Sequence, residues 1–194
     1  MAELISLCVY CGSSAEVCPE HRDAAAELGR LAASRGVRIV FGGGRVGLMG
    51  ILADAALAAG GRVTGIIPAH LQSREVGHND VSELEIVDSM HSRKMRMFEL
   101  SDAFCILPGG LGTLDETFEI VTWKQLGLHD KPVLLINLGG YWDPLLRLID
   151  HQVAAGYVRP RHARLLTVVS RVADVFDTIA REPPPAIPGQ QERL

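Results

Sequence analysis

Pro108-Gly-Gly-Leu-Gly-Thr-Leu-Asp-Glu116 is the stretch that decides the fold class of this chain. It follows an apolar run at residues 103–107 that reads as a buried strand, and it leads into a helical pattern at residues 113–126. Pro108 stiffens the exit from the strand, and the glycines that follow expose backbone amides. A glycine-rich turn into a helix N-terminus is typical of phosphate-binding sites in α/β proteins.

Apolar runs and helical patterns alternate along the rest of the chain in the same way. Strands are predicted at residues 5–11, 37–41, 63–67, 83–87, 103–107, 133–137 and 165–169, and helices at residues 19–34, 47–59, 90–100, 113–126, 144–155 and 172–181. A polar loop is expected from residue 69 to about residue 80. This alternation predicts a Rossmann-like, doubly wound α/β fold with a mainly parallel sheet and helices on both faces.

One nucleotide-binding domain is expected over residues 1–182, followed by a Pro-rich tail, residues 183–194, that we expect to be disordered. The net charge of −4 argues against a nucleic-acid partner held mainly by phosphate contacts. No apolar run reaches the roughly 18 residues of a membrane span. With no basic segment leading into an apolar run at the N-terminus, we expect no signal peptide and a cytoplasmic location.

The four cysteines are expected to be reduced thiols. Cys8 and Cys11 form a C-x-x-C, but no second pair accompanies them, as a zinc site would require. Redox dithiols usually lie where a helix begins, whereas this pair lies inside a predicted strand. We therefore predict ordinary core cysteines, with no metal and no cofactor.

A second glycine-rich turn follows the strand at residues 37–41. Gly42, Gly44 and Gly47 satisfy G-x-G-x-x-G between a strand and a helix. NAD or FAD is not favoured, because the acidic residue expected about 20 residues further on is missing. Contact of Gly43 and Gly44 with some other nucleotide is the favoured interpretation. The alternative is a tight turn that needs positive φ and close packing of helix on strand.

Glu116 has two competing roles in the sequence. Thr113-Leu-Asp-Glu116 matches a capping box, in which the glutamate returns to the backbone at the helix start. A carboxylate one turn into a phosphate-binding helix could instead contact the ligand. The spacing alone leaves the two roles open.

The helix predicted before the phosphate turn is basic. It carries Arg93, Lys94 and Arg96, which form either a solvated face or a second contact to an anion. His91 is expected to cap this helix or to contact a ligand. The methionines at 90, 95 and 97 are predicted to be core residues.

These motifs together resemble the LOG ("Lonely Guy") family of cytokinin riboside 5′-monophosphate phosphoribohydrolases, which are often labelled lysine decarboxylases. The matching pieces are Gly42-Gly-Gly-x-x-Gly-Leu-Met-Gly50, Met90-His-x-Arg-Lys94 and Pro108-Gly-Gly-x-Gly-Thr-x-x-Glu116. The resemblance spans roughly residues 5–169. It implies hydrolysis of the N-glycosidic bond of an N6-modified AMP, or of AMP itself, to free base and ribose 5-phosphate.

The resemblance also implies the site. Glu116 and Arg93 would be the catalytic residues, with the carboxylate near C1′ of the ribose. The expected substrate contacts are Glu83, Arg93, Lys94, Gly109, Gly110, Leu111, Gly112, Thr113, Leu114, Asp115, Glu116 and Thr122, with Gly43 and Gly44 from the first turn. The chain departs from the family pattern at Ser82, Asp115 and Arg45, which bears on the preferred base. A homodimer is expected, with a small-molecule nucleotide as substrate and no nucleic-acid or membrane partner.

Two other functions remain compatible with the motifs. A non-catalytic nucleotide sensor would keep both phosphate turns without any chemistry at Glu116. A lysine decarboxylase would need pyridoxal phosphate on a lysine. Only Lys94 lies in a motif, and no nearby pattern suggests a partner for the pyridine ring, so this function is not favoured.

Overall fold

The computed structural model, which describes residues 4–72 and 77–182, contains a seven-stranded sheet in which all paired neighbours run parallel. The sheet order is β4-β3-β2-β1-β5-β6-β7. In chain order the strands are β1 (Ser6–Tyr10), β2 (Arg38–Phe41), β3 (Val63–Pro68), β4 (Glu83–Val87), β5 (Ala103–Ile106), β6 (Val133–Ile136) and β7 (Thr167–Val169). The predicted doubly wound α/β fold is confirmed. The predicted tail, residues 183–194, lies outside the described residues.

The α-helices of the described residues are α1 (Pro19–Ser34), α2 (Leu48–Ala58), α3 (Ala69–Gln72), α4 (Met90–Glu99), α5 (Leu111–Gln125), α6 (Asp143–Ala154) and α7 (Val175–Arg181). The loop predicted from residue 69 therefore begins as the short helix α3. The helix predicted from residue 172 begins with a 3₁₀ turn, Val172–Asp174, before α7. None of the helices described is both long and apolar enough to cross a membrane.

The helices cover the sheet on both faces and create two hydrophobic cores. Side chains alternate along each strand, so Leu7 and Val9 of β1 enter one core while Cys8 and Tyr10 enter the other. The first core is closed by α1, α2 and α7, and the second by α4, α5 and α6. Because the strands are buried on both faces, they appear as continuous apolar runs in the sequence.

The order of the sheet reverses between β1 and β5. The helix that follows β1 packs on one face, and the helix that follows β5 packs on the other. The loops that follow β1 and β5 therefore separate at the carboxyl ends of these neighbouring strands, which is where α/β sheets bind ligands. They stay joined at their base, since the Gly12 amide donates a hydrogen bond of 3.0 Å to the Pro108 carbonyl.

The packing of α1 on α2 depends on Gly29. A Cβ at this position would overlap the Leu52 carbonyl oxygen and would lie 3.0 Å from the Ala56 amide nitrogen. Both atoms belong to the backbone of α2, so they can move only if the helix moves. The absence of a side chain at Gly29 sets the distance between these helices.

Replacing Gly29 by alanine is expected to destabilise the protein by about 1–3 kcal/mol, the usual cost of overpacking. This loss should appear although alanine favours a helix by about 1 kcal/mol over glycine. The measurement is the free energy of unfolding in urea. Gly112→Ala is the matched control, because a Cβ at this position in α5 meets nothing within 4 Å. Equal stability of the two variants would contradict the packing argument.

Candidate active site

A cavity of about 580 Å³ opens at the carboxyl ends of β1 and β5. Its walls are the loop after β1 with the first turn of α1, the glycine turn before α5, Gly42 at the end of β2, Arg93 of α4 and Tyr141 after β6. The volume lies in the range of roughly 300–1,000 Å³ that is typical of small-molecule sites. The sheet reversal therefore creates a pocket large enough for a nucleotide.

The glycine turn presents the start of α5 to this cavity. The N-cap is Gly110, whose extended backbone (φ −99°, ψ −151°) is followed at once by the helix. The first amides of a helix have no acceptor within it, and no side chain caps them here. Gly110 and Gly112 have open space where a Cβ would be. These amides and the helix dipole lie where the sequence predicts an anion site.

The capping box, one of the two roles left open for Glu116, does not fit the start of the helix. The helix begins at Leu111, two residues earlier than expected, because the extended Gly110 takes the N-cap position. Thr113 is thus already inside the helix, buried against Gly109, and its carbonyl accepts a hydrogen bond from the Thr117 hydroxyl at 2.6 Å. Glu116 lies more than a turn inside α5, and it lines the cavity.

Arg93 is buried at the floor of the cavity and is held by backbone. Its Nε donates to the Ile66 carbonyl at 3.2 Å, and its Nη2 donates to the Gly42 carbonyl at 3.0 Å. A Cβ at Gly42 would overlap the guanidinium, so this glycine is required for the close approach. Because a guanidinium carries five N–H donors, it can contact a ligand while it keeps these bonds.

The charges of Glu116 and Arg93 meet close to the end of β1. Burial raises the pKa of the Cys11 thiol strongly, the negative charge of Glu116 raises it further, and the positive charge of Arg93 opposes this. Burial and Glu116 also raise the pKa of Cys8 in the same way. The two charges therefore have opposite effects on Cys11, and burial keeps this thiol of the cavity lining protonated.

Lys94 does not reach the cavity. Its ammonium pairs with Asp115 at 3.2 Å and Glu119 at 3.1 Å on α5. Burial works to lower the Lys94 pKa, but the hydrogen bonds to these two carboxylates outweigh it and raise the pKa. The lysine ties α4 to α5 instead of contributing a free charge to the anion site.

Six other expected substrate contacts also lie outside the cavity wall of the single chain, namely Gly43, Gly44, Glu83, Leu114, Asp115 and Thr122. Gly43 has a φ of +75° and packs on the β3 backbone, while Gly44 pairs with Gly77 in an isolated bridge. The first glycine turn thus acts mainly as support for Arg93. This is close to the alternative given for the motif, a tight turn that needs positive φ and close packing.

Two further expectations fail at the basic helix. Ser89 caps α4, since its hydroxyl accepts a hydrogen bond from the Ser92 amide at 3.1 Å, so His91 is not the cap. His91 lies on a separate groove between α4 and α5. Met90 and Met95 are exposed at 36% and 45%, and only Met97 is the buried core residue predicted for all three.

Sequence reasoning missed the wall opposite the glycine turn. Ser13, Ser14, Glu16 and His21 line the cavity from the loop after β1 and the start of α1, and Tyr141 lines it from the loop after β6. These residues lie in no recognisable motif. Their signal is positional, because each follows a parallel strand at its carboxyl end.

The arrangement offers three groups to one ligand. The start of α5 can bind a phosphate, Glu116 can face a centre that becomes positive, and Arg93 can face a group that becomes negative. Such a pair of opposite charges in a partly buried site is suited to a reaction that separates charge along one bond.

The chain is similar to known proteins over most of its length. Residues 49–179 match a family model described as "Possible lysine decarboxylase". A probable cytokinin riboside 5′-monophosphate phosphoribohydrolase of Oryza sativa subsp. japonica is 49% identical over 159 residues, covering 82% of this chain and 70% of the relative. A cytokinin riboside 5′-monophosphate phosphoribohydrolase of Arabidopsis thaliana is 48% identical over 154 residues, covering 79% and 72%.

Solved structures with the same fold include carriers of the molybdenum cofactor. The carrier protein from Chlamydomonas reinhardtii has a TM-score of 0.70 at 20% identity, covering 92% of this chain and 97% of that one. The molybdenum cofactor binding protein from Rippkaea orientalis has a TM-score of 0.68 at 22% identity, covering 93% and 98%. At this identity the likeness shows the fold alone.

The cysteines allow a direct check of the cavity floor. Cys8, Cys11 and Cys105 are buried and burial raises the pKa of each, whereas Cys18 is exposed. Since the thiolate is the reactive form, iodoacetamide near neutral pH should label Cys18 and spare the other three. Mass spectrometry of the native protein measures this, with the urea-unfolded protein as the control that labels all four. Labelling of Cys11 as fast as Cys18 would contradict the site description.

Proposed function

The chain belongs to the family of the cytokinin riboside 5′-monophosphate phosphoribohydrolases, and from this membership we propose that it hydrolyses the N-glycosidic bond of such nucleotides. We include AMP itself among the substrates. The bond between C1′ of the ribose and the purine nitrogen breaks, and water supplies a hydroxyl to C1′ and a proton to the base. The products are the free base and ribose 5-phosphate.

The observation that carries the proposal is the meeting of Glu116, Arg93 and the open start of α5 in one cavity. The transition state of this cleavage has positive charge on the sugar and negative charge on the leaving purine. A carboxylate beside C1′ and a guanidinium beside the base would stabilise both charges. The amides of the α5 start would hold the 5′-phosphate and set the position of the sugar.

Glu116 has a second task in this mechanism. A carboxylate beside C1′ can orient a water molecule and accept its proton as the water attacks. Arg93 cannot move easily, because two backbone carbonyls hold its guanidinium in the floor of the cavity. A fixed donor costs little reorganisation when charge appears on the base.

The lysines of the chain do not fit the decarboxylase description. That chemistry needs a lysine to hold pyridoxal phosphate, and the chain has three, Lys94, Lys124 and Lys131. None of them lines the cavity. Lys94 pairs with two carboxylates, and Lys131 donates to the Phe98 carbonyl at 2.8 Å. The phosphate site and the lysines are therefore separate.

A product assay on a panel of 5′-monophosphates tests the proposed reaction. The protein is incubated with AMP and N6-isopentenyl-AMP, and the free base and ribose 5-phosphate are measured by chromatography. Adenosine should be a poor substrate, because it lacks the phosphate that the α5 start would bind. Unchanged nucleotides together with measurable binding would favour the non-catalytic sensor instead.

Changing Glu116 to glutamine should lower the turnover number by about 10²–10³-fold or more, since the carboxylate charge is lost at C1′. The melting temperature should move little, because glutamine keeps the size of the side chain and its capacity to form hydrogen bonds. Glu119→Gln is the matched control on the same helix and should keep the activity, since Glu119 pairs with Lys94 outside the cavity. Full activity in Glu116→Gln would overturn the assigned role.

We also propose a homodimer formed through the outer face of α4 and α5. The two helices expose Met90 at 36%, Met95 at 45% and Phe118 at 41%. Large apolar side chains that cluster on one exposed face are typical of interaction surfaces. The expected substrate contacts Asp115 and Thr122 lie on the same exposed side of α5 as Phe118, which supports a site shared with a second copy.

Phe118→Glu is expected to shift the protein from dimer to monomer, because it would bury a charge in the proposed interface. Light scattering after size-exclusion chromatography measures the mass. Tyr157→Glu is the control, since Tyr157 is 89% exposed and belongs to the segment that follows α6, not to α4 or α5. A wild-type mass of about 21 kDa, the mass of one chain, would contradict the dimer.

A cytoplasmic location completes the proposal. All four cysteines are free thiols. Free thiols persist in the reducing cytoplasm, where nucleotide monophosphates are also present.

A further inference from the structure

His21 and Tyr141 form a pair on the cavity wall. The two rings meet edge to face, with centroids 5.2 Å apart and planes at 85°. His21 lies in the first turn of α1, and Tyr141 comes from the loop after β6. Neither residue belongs to the motifs that indicated the function, and both line the cavity.

Tyr141 places this pair next to the glycine turn. Its hydroxyl donates a hydrogen bond of 2.7 Å to the Gly109 carbonyl, directly before the N-cap of α5. Its ring also packs edge to face on Trp142, at 4.8 Å between centroids, and Trp142 is buried. The hydroxyl and the ring of Tyr141 are therefore both held in place. The ring contact with His21 keeps the imidazole beside the start of α5.

The charges along the cavity show why His21 matters for an anion. Among the described residues that line the cavity, Arg93 and His21 are the side chains that can be positively charged, and Glu16 and Glu116 are the carboxylates. Arg93 is held at the floor by backbone carbonyls. A phosphate at the α5 start would then share the cavity with two carboxylates, and the imidazole of His21 could offer it an N–H from the wall beside the glycine turn.

We propose that His21 donates an N–H to the 5′-phosphate of the substrate, and that Tyr141 is the positioning residue that holds both this imidazole and the glycine turn. The inference rests on the proposed function, because it assigns the phosphate end of that same substrate. The phosphate lies between the first turns of α1 and α5, with His21 as its side-chain donor. A hydrogen bond to a charged group contributes about 1.5–3 kcal/mol, which corresponds to roughly 10–100-fold in affinity.

Ribose 5-phosphate is the probe that tests the phosphate contact without any bond cleavage. His21→Phe keeps a ring against Tyr141 but removes the N–H, so its affinity in a calorimetric titration should fall about 10–100-fold. His21→Gln keeps an N–H donor, so its affinity for ribose 5-phosphate should fall less. His151→Gln is the matched control, because His151 is exposed on α6 and lies outside the cavity. Equal affinity of His21→Phe and the wild type would overturn the proposal.

Kinetics on AMP and adenosine separate a phosphate contact from a base contact. His21→Phe should raise the KM for AMP by a similar factor, change kcat little, and leave kcat/KM for adenosine unchanged. Tyr141→Phe, which keeps the ring and loses the bond to Gly109, should also raise the KM for AMP more than it lowers kcat. If His21→Phe lost kcat/KM equally on AMP and on adenosine, His21 would contact the base or only support the fold, and the inference would be refuted.

The two proposals fail in different ways. A wild-type protein that binds ribose 5-phosphate but cleaves no nucleotide would refute the proposed function. The His21→Phe variant could still bind ribose 5-phosphate more weakly than the wild type, which would support the present inference. A protein that cleaves AMP, with ribose 5-phosphate affinity independent of His21, would refute only the present inference. Failure of the wild type to bind ribose 5-phosphate at all would refute the phosphate site and the role of His21 together.

Discussion

The reversal of strand order between β1 and β5 is the constraint on which the rest of the molecule depends. Parallel strands need helical crossovers, and a sheet that is wound both ways sends the helices after these two neighbouring strands to opposite faces. A cleft must then open between the two loops, and the Gly12–Pro108 hydrogen bond keeps it from opening at its base. The cavity is a consequence of the topology, and the loop residues decide only its chemistry.

The two glycine-rich turns perform different tasks, although both follow a strand and precede a helix. The turn at Gly110 is open to the cavity and offers the amides of α5. The turn at Gly42 faces a guanidinium, and the lack of a side chain there allows Arg93 to bond to the backbone. Glycine thus leaves space open to the cavity in one place and makes room for a protein side chain in the other, which is a distinction that a motif cannot make.

The family relationship and the geometry support each other at Glu116 and Arg93, and they diverge elsewhere. The family resemblance assigned Lys94, Asp115 and Thr122 to the substrate, but in the single chain they lie outside the cavity. Lys94 and Asp115 are bonded to one another instead. Asp115 and Thr122 share the exposed side of α5 with Phe118, as expected of residues that complete their role only in the proposed assembly.

The sequence by itself determined the fold class, nearly all of the strands and helices, and the phosphate turn, because apolar periodicity and glycine placement act locally along the chain. It could not decide between the two roles of Glu116, since the choice depended on where α5 begins, and Gly110 moved that start by two residues. The partner of Gly42 and the wall made by His21 and Tyr141 were also decided only by the tertiary structure. These contacts join residues that are 51 positions apart, for Arg93 and Gly42, or that come from separate loops. Only the order of the strands in the sheet brings such residues to one edge.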